Sequence, residues 1–98
     1  MRFEWDETKD VLNQHQHGVE FILAAQAVLD PHRMEWFDLD HSDQEDRWTI
    51  IGMAGPIALI LRVTISERED GELIRIISAR KASPEQRRLY LSHRRRTP

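Results

Sequence analysis

The sequence predicts an α+β domain: two N-terminal helices, an antiparallel sheet of three to four strands, and a C-terminal helix. Three observations carry this. Apolar residues recur at helical spacing up to Leu29, alternation with period two runs through the middle of the chain, and a helix start signal stands at Ser83-Pro84-Glu85-Gln86. With 98 residues, the chain has the size of one small domain, 1–98, with room for one core and a shallow site.

Each element has a local reason. Val11 and Leu12 lie within a helix from Asp6 to Gln16, which Gly18 ends because glycine takes the left-handed conformation most readily. Phe21, Ala24, Ala25, Val28 and Leu29 mark a second helix over Glu20–Leu29, stopped by Asp30-Pro31. Met34–Leu39 reads as a short strand, and the acidic stretch Asp38–Asp46 as an exposed loop. Arg47–Met53 and Ile57–Ser66 are strands on either side of the turn Ala54-Gly55-Pro56. In the second strand Ile57, Leu59, Leu61, Val63 and Ile65 share one face and Arg62, Thr64 and Ser66 the other, so one sheet face carries polar residues near its C-terminal end. Glu67–Gly71 is a charged hairpin loop, and Glu72–Ala79 is the last strand. Ser83 as N-cap, Pro84 at the first helical position and Gln86 three residues after the cap open a helix running to about His93. The helices are expected against one face of the sheet.

Composition excludes several function classes. Hydrophobic residues make up 40% and charged residues 32%, and no apolar run reaches the roughly 18 residues of a membrane span. The first ten residues lack the apolar core of a secretion signal, so a cytoplasmic protein without membrane contact is expected. The absence of cysteine rules out disulfides, thiol catalysis and thiolate metal sites. Charge divides along the chain: residues 1–70 hold 6 basic against 15 acidic side chains, residues 71–98 hold 8 against 2. That asymmetry points to an anionic partner for the C-terminal region or to pairing with the acidic part of the same fold.

Arg80 precedes the helix start at Ser83, where unpaired amides and the positive end of the helix dipole combine with a planar guanidinium into a phosphate cradle. The competing reading is an ion pair within the fold. Arg68 approaches the same edge if the last two strands form a hairpin, or is a solvated loop arginine; Arg47, opening a strand, has the same two readings. Strict alternation sends Arg75 and Arg80 to opposite faces. His15 and His17 stand two apart, not the four of a helical metal pair, and no metal or cofactor is expected. His17, at a helix end, is the candidate acid or base. Trp5, Trp36 and Trp48 read as core or core-edge anchors rather than base-stacking platforms, because the chain has few other aromatics.

These residues, taken together, resemble a known family. "FEWDETK", Asn13, "HGVEF", Asp30-Pro31, Arg47 with Ile51-Gly52, and "IRIISARKAS" followed by Glu85, Arg87 and Tyr90 look like the BrnT toxins of bacterial type II toxin–antitoxin systems, over nearly the whole chain. The resemblance implies a RelE-like fold, a metal-independent ribonuclease that inhibits translation, and a BrnA-type antitoxin with a ribbon-helix-helix domain. DNA would then be met only through the antitoxin. Carried onto this sequence, it makes Arg68 and Arg80 stabilisers of the phosphate, His17 helped by Glu20 the proton-transfer group, and Arg47 and Lys81 RNA contacts. Two alternatives stand beside it. One is a catalytically weak or inactive module that still binds antitoxin and acts in autoregulation, suggested by Gln16, where many members carry lysine, and by the net charge of −3. The other is direct DNA binding by the arginines of the final helix, which lacks the partner helix of a recognition motif.

Overall fold

The computed structural model describes residues 1–41 and 45–96. Its elements run β1 (Arg2–Glu4), α1 (Glu7–His17), α2 (Phe21–Val28), β2 (Met34–Phe37), β3 (Arg47–Ala54), β4 (Leu59–Arg68), β5 (Leu73–Lys81) and α3 (Pro84–Arg96), with 3-10 turns at Leu39–His41 and Glu69–Gly71. The helix ends form for local reasons. Asp6 accepts hydrogen bonds from the amides of Thr8 and Lys9 at 2.8 and 3.2 Å, and Gly18 closes α1 at φ 69° with its N–H on the Gln14 carbonyl. Asp10 on α1 accepts the first amide of α2, from Phe21, at 2.9 Å, so α1 caps the start of α2. The acidic loop expected at Asp38–Asp46 contains the turn at Leu39–His41; residues 42–44 lie outside the described residues.

The α+β class stands, with three corrections. The sheet has five strands in the order β1-β5-β4-β3-β2, and it is mixed: β1 pairs in parallel with β5, Arg2 beside Leu73 and Glu4 beside Arg75. Three residues are too few to show a period, so β1 is invisible until β5 offers it a partner. The helices also do not share one face. Phe21, Ala24, Ala27 and Val28 of α2 pack with Ile50, Leu61, Val63, Ile65, Ile74 and Ile76 on one side. Tyr90 of α3 packs with Ile51, Ile60 and Ala82 on the other.

The third correction concerns β5. Thr64 pairs with Ser78 but Ile65 pairs with Ile76, so Ile77 is an extra residue, a β-bulge. The bulge resets alternation. Ile74, Ile76 and Ala79 all reach the core, while Arg75 and Arg80 come to the same face instead of opposite ones.

Close packing marks the α2 side. A Cβ at Gly52 would lie 2.2 Å from the Ala27 carbonyl oxygen, so only glycine lets β3 approach the helix this closely. The free edge of β5 beyond its pairing with β1 is closed by Asn13, 5% exposed on α1. Its amide donates to the Ala79 and Val19 carbonyls at 2.7 and 2.9 Å and accepts from the Ala79 N–H at 3.1 Å. A side chain thereby takes the place of a neighbouring strand. Among the described residues, no helix is long and apolar enough to cross a membrane.

Candidate functional site

The face that α3 covers at one end is open over the rest, and the strand register states which side chains share it. One row runs Met34, Ile51, Arg62, Arg80 across β2 to β5; the next runs Trp36, Thr49, Thr64, Ser78. Ile51 is sealed under α3, and beyond it the face turns polar. Arg62 and Arg80 are direct cross-strand neighbours.

Two like charges opposite each other on one face cost stability. No ion pair or side-chain hydrogen bond offsets this for either arginine among the described residues, and the Arg62 Nε is buried without a partner. His17, from the last turn of α1, joins them: His17, Arg62, Thr64, Ser78, Ala79 and Arg80 line one cavity of about 170 Å³. The Asn13 contacts to Ala79 hold the end of α1, and with it His17, against the strand that carries Arg80. The cavity thus offers one imidazole, two guanidinium groups and two hydroxyls, and among the described residues no carboxylate lines it. Such a set suits an oxyanion or phosphodiester.

The sequence-predicted residues divide accordingly. His17 and Arg80 come together. Arg68 does not join them: β4 and β5 do form a hairpin, but Arg68 pairs with Leu73 at its far end, six residues or about 20 Å along β4 from Arg62. There its guanidinium bonds to Glu45 at 3.1 Å and to Glu4 at 3.4 Å, and Glu4 also holds Arg75 at 3.2 Å. Arg47, paired with Ser66, stands toward that same end. Glu20 is the exposed N-cap residue of α2, outside the residues that line the cavity. Lys81 is exposed, and alternation turns it away from the face of Arg80.

The expected phosphate cradle at the start of α3 is altered by the helix itself. Ser83 Oγ accepts from the Gln86 N–H at 3.1 Å and Gln86 Oε1 from the Ser83 N–H at 2.9 Å, so the capping box occupies those amides. The residue that sequence reasoning missed is Arg62. A signal was present, since it is the one charged side chain in the alternating run Leu59 to Ile65, on the strand's polar face. Trp5 and Trp48 pack against the main core as anticipated, whereas Trp36 is 43% exposed beside Arg62. Among the described residues, no three His, Asp or Glu side chains gather closely enough to hold a metal ion.

Comparison with known proteins adds one match. A family model described as the ribonuclease toxin BrnT of type II toxin–antitoxin systems matches residues 5–86, which include every residue lining the cavity. No curated protein matches the chain significantly.

Proposed function

Because this chain belongs to the BrnT family of ribonuclease toxins of type II toxin–antitoxin systems, we propose that the Arg62–Arg80–His17 cavity binds and cleaves single-stranded RNA without a metal. In this reading the 2′-hydroxyl attacks its own phosphate: the P–O2′ bond forms, the P–O5′ bond breaks, and a cyclic phosphate and a 5′-hydroxyl result. His17 takes the proton of the 2′-hydroxyl or supplies that of the leaving oxygen, solvent balancing the other; Glu20, outside the lining residues, would assist only from the cavity's margin. Arg62 and Arg80 meet the charge that builds on the non-bridging oxygens. Lys81, on the opposite face, and Arg47, toward the far end of the sheet, would meet the RNA only outside the cleavage site, while Arg68, held by two carboxylates, serves chiefly to fasten its end of the sheet.

The observation that carries this reading is the pairing of Arg62 with Arg80 across adjacent strands, neither of them in an ion pair among the described residues. Two facing cations with no ion pair among the described residues suit an anion from outside. Removing one such preorganised donor typically costs about 3–4 kcal/mol, or 10² to 10³ in rate. Purified chain, a single-stranded RNA and a chelator test it: Arg62→Ala and Arg80→Ala should each lose cleavage by about that factor while their melting temperatures stay close to the parent's. Full cleavage by either variant, or cleavage abolished by the chelator, overturns the assignment.

A toxin of this type works with an antitoxin partner. We assign that partner to the BrnA type, a ribbon-helix-helix protein through which the complex meets operator DNA. One observation favours a second reading, a weakly catalytic module retained for antitoxin binding: among the described residues lining the cavity, His17 has no second imidazole or carboxylate beside it to share proton transfer. Antitoxin binding without any RNA cleavage would select it.

A further inference from the structure

Arg62 lines a second cavity on its other side, a cleft of about 400 Å³ bounded by Trp36, Thr49, Arg62, Glu85, Gln86 and Leu89. We propose that this cleft is a nucleobase subsite: a single-stranded RNA held by its phosphate at Arg62 and Arg80 lays a neighbouring base on the Trp36 indole. The inference rests on the RNA-cleaving reading above and extends it to how the substrate is gripped.

Four features point to a base. Trp36 is 43% exposed and Leu89 50%, so two apolar side chains, one on β2 and one on α3, open onto the same cleft. The other described tryptophans have ring partners, Trp48 stacked on Phe37 at 5.3 Å and Trp5 edge-on to Phe21, whereas Trp36 has none among the described residues. Trp36 pairs with Thr49, which pairs with Thr64 beside Arg62, so the indole sits two strand spacings, about 10 Å, from the strand carrying the phosphate-binding arginine. That is within reach of a base from its own nucleotide's phosphate. Finally, Glu85 lines the cleft. Its carboxylate repels a phosphate but accepts hydrogen bonds from a base's exocyclic amine, so the backbone stays at Arg62 and the base enters. Continuity with the cationic pair favours RNA over a protein segment as the occupant.

The test measures binding of a short 2′-O-methylated RNA, which cannot be cleaved, and of a base-free sugar-phosphate strand of equal length, across a salt series. Trp36→Ala should weaken binding of the RNA by about tenfold or more without changing the salt dependence, and should leave the base-free strand unaffected. Trp36→Phe, which keeps a stacking face, should restore most of the affinity. Arg62→Ala should weaken both strands and lower the salt slope by about 0.7. If Arg62→Ala weakens binding and Trp36→Ala does not, or weakens both strands equally, the base subsite is overturned and the phosphate site stands. If Arg62→Ala binds RNA like the parent, both assignments fall. If Trp36→Ala loses antitoxin but keeps RNA, the cleft is a protein-docking surface and the subsite is overturned.

Discussion

Tyr90 on α3 donates its hydroxyl hydrogen to Asp30, 8% exposed at the end of α2, tying the helix on one sheet face to the helix on the other. Asp30 also accepts the Met53 and His32 amides, each at 2.8 Å, and Arg94 reaches the Tyr90 oxygen at 3.3 Å. Burial pulls the Asp30 carboxyl upward, but the Tyr90 hydroxyl, the two amides and Arg94 outweigh it, and the group ends below its ordinary value of 3.8. Burial first, and then the bond to Asp30, push the Tyr90 hydroxyl up from 10.0 to about 12.

Tyr90→Phe should therefore destabilise the domain at neutral pH by about 1–3 kcal/mol, read by urea denaturation, because a buried carboxylate loses a donor. Its pH dependence has a defined sign. The Tyr90 contribution is present below pH 10.0 and lost as pH rises toward about 12, since the folded state holds the proton longer. The Asp30 contribution is present above pH 3.8 and lost as pH falls through the depressed folded value. Stability of the parent chain should fall at both extremes, and the alkaline loss should shrink in Tyr90→Phe.

Asn13→Ala should cost about 2–4 kcal/mol, because it strips partners from the N–H and C=O of Ala79 and from the Val19 carbonyl at once. Hydrogen exchange at the Ala79 amide should quicken more than at β4 amides. RNA cleavage per folded molecule should fall as well, since the same contacts seat His17 beside Arg80.

Gly52→Ala places a carbon 2.2 Å from the Ala27 carbonyl oxygen, a backbone atom that cannot swing aside. The expected loss is about 3 kcal/mol or more, visible as reduced soluble yield and a lowered denaturation midpoint.

Arg68→Ala separates the two arginine positions that the sequence alone placed together. Its ion pairs are partly exposed, with side-chain exposures of 44% for Arg68, 34% for Glu4 and 26% for Glu45, so stability should drop by about 1 kcal/mol or less. Cleavage should remain near the parent's under the conditions in which Arg62→Ala loses it, measured on the same RNA.

Much of this arrangement is legible in the residues themselves. Asp6, Gly18 and the Ser83–Gln86 box mark helix ends through contacts within a few residues, and alternation assigns the faces of β4 from Leu59 to Ile65, whereas Ile57, expected on the same face, lies exposed in the turn before the strand. His17 and Arg80, which line one cavity, each lie beside such a marker. Arg62 was on the polar face in plain view, but nothing nearby tells whether a mid-strand arginine meets a carboxylate or faces open space.

What the chain's own order determined is therefore the short-range part: element type, caps, and which side chains of a regular strand travel together, all of which depend on neighbours within a turn or two. Only the assembled sheet decided the rest. The extra residue at Ile77 exists relative to β4, β1 becomes a strand when β5 accepts it, and α3 lies on the second face because Ile51 and Ile60 are there to be covered. Each is set by pairing between segments distant in sequence, and that pairing brings Arg80 opposite Arg62 and leaves Arg68 with Glu4 and Glu45.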